Sequence, residues 1–532
     1  MVTSNKNDLK KQIYLKSITT FFFVSILFFL SSTCFSQDRF PGKTWMQFAK
    51  PQLAGWSNEK LKGAKAFADS IGSAAFMLIY DGAVVTTWGD IERRYMCHSV
   101  RKSFLSALYG VHVGDGNIDV NNTLADLNID DKDILTPVEK QAKILDLLKA
   151  RSGIYHPAAY ETAGMKRIRP KRGSHIPGIF WYYNNWDFNT LGFIFEKETG
   201  KKIFEEFDNR IASQIQMQDY RGRDGYYYLE PENSNYRAYP FRMSARDMAR
   251  FGLLYLNNGN WKGKQIIPSS WVKETSTSYS KARGDDGYGY MWWILGGELK
   301  QYGAYTAYGV GTQTITVIPG LNIVFVHRVD TYIGDRVPTR RILQLLKRLI
   351  DAKTSDGSDH PTLMQLPTMP PRVETIKLSS TVLKRYAKTY TYPSGRSVQV
   401  KLTHGGLIAT VSGFGTFGLE PLSETEFLME DVLDHVFFRS STDDSSPGLI
   451  SENFINAEGY FLLRQEKIPK AIEIFKLNVV YYPESFNVYD SLAEAYMAND
   501  DKELSVKNYK RSLKLNPGNN NAVEKLKKLK DM

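Results

Sequence analysis

The chain has 532 residues, 42% of them hydrophobic and 13% aromatic, with a formal net charge of +11. That apolar content excludes an intrinsically disordered chain, and the length calls for several domains. The positive charge is not gathered into basic runs interleaved with aromatics, so there is no nucleic-acid-binding footprint.

Residues 1–36 have the pattern of a secretory signal. Lys6, Lys10, Lys11 and Lys16 precede an apolar core from Ile18 to Leu30, which is too short to span a bilayer comfortably. Cleavage after Ser36 would leave Gln37 first, and export to the periplasm or the medium is expected. Lipidation at Cys34 is the alternative, disfavoured by the bulky Thr33 before it. The only other cysteine is Cys97, so an exported chain cleaved after Ser36 has no internal disulfide.

Residues 37–353 form the first expected domain. A helix near Ser57–Ser70 opens with Ser57 as its N-cap. Two apolar runs, Ala75–Tyr80 and Ala83–Trp88, are joined by Asp81-Gly82, a strong hairpin signal. A second hairpin, Thr314–Ile318 with Ile323–Val329, turns through Pro319-Gly320-Leu321-Asn322. An apolar-periodic helix from Thr339 to Ala352 follows. Strands from both ends with helices beside them predict an α/β domain of the α+β kind, its antiparallel sheet carrying the terminal helices on one face. Residues 354–372 hold four prolines and are expected to be an extended tether. Residues 373–445 show short alternating runs broken by glycine pairs, predicting a small antiparallel barrel or sandwich. Residues 450–532 carry a 34-residue offset: Pro483/Pro517, Gly459/Ala493, Leu462/Tyr496, Ala471/Ser505 and Phe475/Tyr509. The pattern is similar to tetratricopeptide repeats, all-α hairpins that stack. Two repeats make a marginal core, so contact with a partner chain, a second copy or the β-like region is expected.

Four S-x-x-K matches occur, at Ser57/Lys60, Ser99/Lys102, Ser270/Lys273 and Ser278/Lys281. Ser57 and Ser270 are explained as helix N-caps. Ser99 begins an apolar-periodic segment, so a helix there places Ser99 and Lys102 on one face, one turn apart. A serine hydroxyl is a weak nucleophile, and a neighbouring amine of depressed pKa can take its proton. Downstream stands Tyr183-Asn184-Asn185, followed by Leu191-Gly192 and a helix ending at Thr199-Gly200. No G-x-S-x-G elbow, phosphate loop or H-E-x-x-H pattern is present.

Together with Leu148–Gly153, Met243–Gly252, Asn257–Gly259 and Trp261–Pro268, these motifs resemble the serine β-lactamase-related superfamily. It includes class C β-lactamases, D-alanyl-D-alanine carboxypeptidases and esterases. The resemblance spans about residues 50–350. It implies a β-lactamase/transpeptidase-like fold and an exported serine hydrolase that acts through an acyl-enzyme, with no metal or cofactor. In those roles Ser99 is the nucleophile, Lys102 and Tyr183 move its proton, and Asn185 bonds the lysine or the substrate. The third motif departs from the family pattern: Ala307-Tyr308-Gly309 stands where a basic residue is expected, just before the second hairpin. The backbone of Gly309 and Val310 is assigned to the oxyanion and substrate strand. Without that cation, poor β-lactam turnover is expected, and a small-molecule or peptide ester, amide or D-amino-acid peptide is the substrate class. The competing reading is a non-catalytic penicillin-binding-like scaffold or binding module that works through its repeats. Because every candidate catalytic residue precedes Gly311, the regions beyond Ala352 are expected to stand apart from the chemistry.

Overall fold

Short-range rules set the first elements. Ser57 caps the helix α1 (Asn58–Ser70) by accepting from the Lys60 N–H. Strands β2 (Ala75–Tyr80) and β3 (Ala83–Gly89) meet at Asp81-Gly82, whose φ angles of 48° and 71° are those of a type I′ turn. The computed structural model describes residues 39–370, 373–411, 414–439 and 448–531. The proposed signal segment, residues 1–36, lies outside the described residues.

Residues 41–532 fall in one compact unit. A ten-stranded sheet runs through it. Its longer strands are β1 (Met46–Phe48), β2, β3, β4 (Tyr305–Gly309), β5 (Gln313–Ile318), β6 (Ile323–Arg328) and β7 (Leu363–Gln365). The order is β7-β1-β3-β2-β6-β5-β4, extended by three two-residue strands at Trp293–Ile294, Gly287–Tyr288 and Ser280–Lys281. All pairings are antiparallel except β1 with β3. Between the hairpins lie α2 (Arg101–Gly114), α3 (Asn185–Thr199) and α4 (Ala245–Leu256), with α5 (Thr339–Asp351) after β6. Helices α1 and α5 cover one face, packing Leu61, Leu345 and Leu349 against Phe76, Leu78 and Phe325. Helix α4 covers the other face. A Cβ on its Gly252 would lie 2.5 Å from Val324 and 3.0 Å from Ile315, so glycine permits the close approach. This is the expected sheet with terminal helices on one face.

Two expectations need correction. Part of the supposed tether is structure, because Leu363–Gln365 pairs with β1 along the sheet edge. Ser270 does not cap its helix, which begins at Ser269 behind Pro268.

The β-like region is a seven-stranded antiparallel meander: β8 (Thr389–Thr391), β9 (Ser397–Thr403), β10 (Gly406–Val411), β11 (Gly415–Pro421), β12 (Glu426–Met429), β13 (Asp434–Phe438) and β14 (Leu449–Ser451). Alternate side chains such as Val398, Val400, Ala409, Phe417, Phe427 and Val436 are buried, which fits a barrel-like curl around one core. Five helices follow: α6 (Glu452–Arg464), α7 (Ile468–Tyr481), α8 (Phe486–Ala498), α9 (Lys502–Leu515) and α10 (Asn520–Asp531). The first of them share the barrel's core, with Ile455, Leu462, Ala471 and Phe475 in the same buried cluster as Phe438 and Ile450.

A buried charge cluster keys the barrel to the region of the ten-stranded sheet. Arg94 bonds Asp431 at 3.0 Å and Glu430 at 2.5 Å, and Arg93 Nε donates to the Asp431 carbonyl at 2.6 Å. Arg242 bonds Asp224 at 3.2 Å and the Thr416 carbonyl at 2.5 Å. Burial opposes ionisation of Glu430, but Arg94 and Arg221 hold its pKa down to about 2.

Candidate active site

The serine sits in a turn that three contacts pin in place. Tyr95–Met96 pairs with Arg242–Met243, and the Cys97 N–H donates to the Phe241 carbonyl at 2.8 Å. Arg328, fully buried at the end of β6, donates to the Tyr95 carbonyl at 2.7 Å and the Met96 carbonyl at 3.2 Å. His98–Val100 then forms a 3-10 turn that runs into α2. Ser99 therefore lies one turn before the α-helix proper, and Lys102 lies in the helix's first turn.

Lys102 Nζ and Ser99 Oγ are hydrogen-bonded at 2.9 Å. Lys102 is 2% exposed. Burial, reinforced by the positive Arg101, lowers its pKa well below the usual lysine value. The amine lies 4.6 Å from the Tyr183 ring centroid and 4.7 Å from that of Phe188. Burial pushes the Tyr183 phenol up to about 12, and a hydrogen bond with Ser99 opposes that rise. A buried amine and a phenol, each pushed toward its uncharged form, thus flank one hydroxyl. The Tyr182 hydroxyl instead donates to the Met165 carbonyl at 3.0 Å, so the Tyr183 register is the one that faces Ser99.

Asn185 opens α3 beside this group. Its amide donates to the Tyr160 carbonyl at 2.6 Å, and its Oδ1 is buried without a partner among the described residues. The expected lysine contact is therefore not made, and the carbonyl oxygen remains for a ligand. Asn184 and Asn189 hold the same loop, donating to the Ile154 and Ala159 carbonyls at 2.6 and 3.0 Å. The loop's Tyr160, at φ 67°, meets His98 Nδ1 at 3.1 Å, and Thr331 meets His98 Nε2 at 2.8 Å. Burial, with Arg328 and other nearby cations, lowers the His98 pKa to about 3. His98 is structural, as its place off the Ser99/Lys102 face suggests, but it also lines the cavity.

Gly309 ends β4 against the serine turn. A Cβ there would lie 2.3 Å from the Cys97 carbonyl oxygen and 3.3 Å from the His98 Cβ. Only glycine lets the strand approach so closely. Val310, next in the chain, lines the same cavity as Ser99. Ala307 is buried, so no cation projects from that position. Arg283, missed in the sequence because no motif surrounds it, also lines the cavity. Its guanidinium lies 5.4 Å from the Trp293 ring centroid, and its charge is felt by both Tyr183 and Tyr308.

The cavity has a volume of about 950 Å³. Its walls are not confined to the catalytic region: Tyr392, Val398 and Phe414 of the barrel and Phe454 and Glu458 of α6 line it with Ser99. This corrects the expectation that the C-terminal regions stand apart from the site. Among the described residues, no group of three or more His, Cys, Asp or Glu side chains could hold a metal ion.

A hydroxyl bonded to a buried amine, a glycine-cleared strand end and this fold define a class. The Beta-lactamase family model matches residues 62–331, and the chain belongs to that family of hydrolases. An uncharacterized protein of Alkalihalophilus pseudofirmus is 21% identical over 311 residues, spanning 51% of this chain and 88% of its own. Among solved structures, a protein of Bacillus anthracis assigned as a 6-aminohexanoate-dimer hydrolase is 24% identical. It covers 59% of this chain and 89% of its own, with a TM-score of 0.46. An octameric penicillin-binding protein homologue from Pyrococcus abyssi is 17% identical, covering 74% of this chain and 95% of its own, with a TM-score of 0.42.

Proposed function

We propose that the protein is an exported serine hydrolase that cleaves an ester, amide or D-amino-acid peptide through an acyl-enzyme. The observation that carries this reading is the 2.9 Å bond between Ser99 Oγ and a buried Lys102 whose pKa is depressed. Ser99 Oγ attacks the substrate carbonyl carbon while its proton passes to Lys102. The tetrahedral oxyanion accepts from the backbone N–H groups of Ser99 and Val310. Tyr183, within reach of both, relays the proton to the leaving group as the carbon–heteroatom bond breaks. Water then attacks the acyl-enzyme carbonyl and gives its proton to the Lys102–Tyr183 pair, which returns it to Ser99 Oγ as the acyl C–Oγ bond breaks, releasing the acid and free Ser99. The Asn185 carbonyl oxygen is placed to accept from a substrate N–H.

Ala307 in the third motif removes the family's usual cation, so β-lactam turnover is poor. Arg283 lines the cavity, its charge is felt by Tyr183, and it is the candidate contact for a substrate carboxylate. Export rests on the pattern of residues 1–36. A tetratricopeptide-like role for the helices, in self-association or in holding a partner, is supported by their spacing. Helices α6, α8 and α10 start at 452, 486 and 520, and α7 and α9 at 468 and 502, steps of 34 residues.

The test is a panel of p-nitrophenyl esters, D-alanyl peptides and nitrocefin with the wild type and Ser99→Ala. Turnover of an ester or D-peptide by the wild type alone supports the reading. Equal turnover by Ser99→Ala refutes it.

A further inference from the structure

The cavity continues from Ser99 to one end of the barrel. The strand registers place Val398 opposite Val411, Val411 opposite Gly415, and Met429 opposite Asp434, so these residues share one barrel end. Helix α6 leaves from the same end, and Phe454, Ala457 and Glu458, spaced i, i+3 and i+4, present one face to the cavity. This half is walled by apolar groups, Val398, Val411, Phe414, Met429 and Phe454 among them. Two carboxylates interrupt it. Asp434 is satisfied by Ser451 at 2.5 Å and Asn453 at 3.2 Å. Glu458 is 1% exposed, yet its Oε1 has no hydrogen-bond partner among the described residues. Burial raises the pKa of Tyr392, and the charges of both carboxylates add to that rise.

A carboxylate oxygen buried without a donor is costly, because it has lost its water and gained nothing in return. The fold tolerates it here on a wall that faces open space. We propose that this barrel end is the subsite for the distal part of the substrate, an apolar chain tipped with a protonated amine that donates to Glu458. A chain seated along the apolar wall would carry its reactive carbonyl toward Ser99. The cations of the cavity, Arg283 and Arg396, are exposed side chains, and no hydrogen bond or ion pair joins either to Glu458 among the described residues. The proposal deepens the hydrolase reading and rests on it for the role of Ser99, but the subsite itself is tested by binding alone.

Calorimetric titration of full-length Ser99→Ala protein with octylammonium, octanol, octanoate and ethylammonium tests it without catalysis. Octylammonium is expected to bind at least tenfold more tightly than the other three. In Glu458→Gln that advantage over octanol should fall to within about threefold. Octanol or octanoate binding as tightly as octylammonium overturns the proposal, and this comparison needs no variant at position 458. A folded Glu458→Gln that keeps the full preference overturns it too, as does the absence of octylammonium binding. Fluorophosphonate labelling of the wild type, run separately, reports on Ser99. Labelling without amine selectivity sinks the subsite and spares the hydrolase; amine selectivity without labelling does the reverse.

Discussion

Gly309→Ala tests whether the end of β4 must approach the serine turn as closely as it does. The added Cβ would sit 2.3 Å from the Cys97 carbonyl oxygen, where contacts under 3.0 Å are essentially never seen. The strand end or the turn must therefore yield by some 0.7 Å, the difference between those two distances. Both are well anchored, the turn by Arg328 and β4 by its ladder with β5, so the movement is shared by the two groups that flank the reacting carbonyl. A misplacement of about 1 Å can lower a rate about 10²-fold, and complete loss of one oxyanion donor costs about 2.7–4 kcal/mol. The expected result is a 10- to 100-fold loss in kcat/KM for p-nitrophenyl acetate and in the rate of fluorophosphonate labelling. Overpacking of this kind also destabilises by about 1–3 kcal/mol, so the Tm should fall modestly. Rates within twofold of wild type, at an unchanged Tm, would refute the placement of Val310 as an oxyanion donor.

Lys102→Met should abolish labelling yet raise the Tm. Lys102's folded pKa lies below its unfolded value, so the unfolded state binds more protons once the pH falls below the usual lysine value, and burying the amine lowers stability there. The same depression makes kcat/KM fall on acidification as Lys102 protonates. His98, held near 3, stays neutral across the assayed range and adds no step above pH 5. Its depressed pKa gives a stability contribution that is present above about 6.5 and lost as pH falls toward 3, measurable as a declining Tm in acid. Asp431→Ala should strip Arg94 and Arg242 of one buried carboxylate while Glu430 and Asp224 remain, so the cost should stay below the roughly 3–5 kcal/mol of a fully broken buried pair but be readable as a lower thermal or urea midpoint; an unchanged midpoint would contradict the docking role of the cluster. Arg283→Ala should raise KM for carboxylate-bearing esters several-fold more than for neutral ones.

The parts of this molecule legible in the sequence are those that local chemistry decides. The Asp81-Gly82 turn, the Ser57 cap and the α5 apolar stripe each follow from a few adjacent residues. Ser99 and Lys102 were visible because one helical turn separates them. The 3-10 geometry at Ser99 was not, since it depends on Arg328 reaching the Tyr95 and Met96 carbonyls from more than 200 residues away. The pairing of Leu363–Gln365 with β1 is equally long-range, so a proline-rich stretch looked like a tether. The far wall of the cavity carries no motif at all. Val398, Phe414 and Glu458 meet Ser99 through the Arg94–Asp431 docking cluster, whose members are ordinary charged residues until the fold buries them together.

The central claim is that Ser99 is the nucleophile, and mapping the site of a covalent adduct tests it most directly. Full-length protein is treated with a fluorophosphonate, digested, and the modified residue located by tandem mass spectrometry. Ser99 chemistry predicts one adduct, on Ser99, formed more slowly as pH falls and absent from Ser99→Ala. An adduct on any other residue, or none on folded wild-type protein, would contradict it.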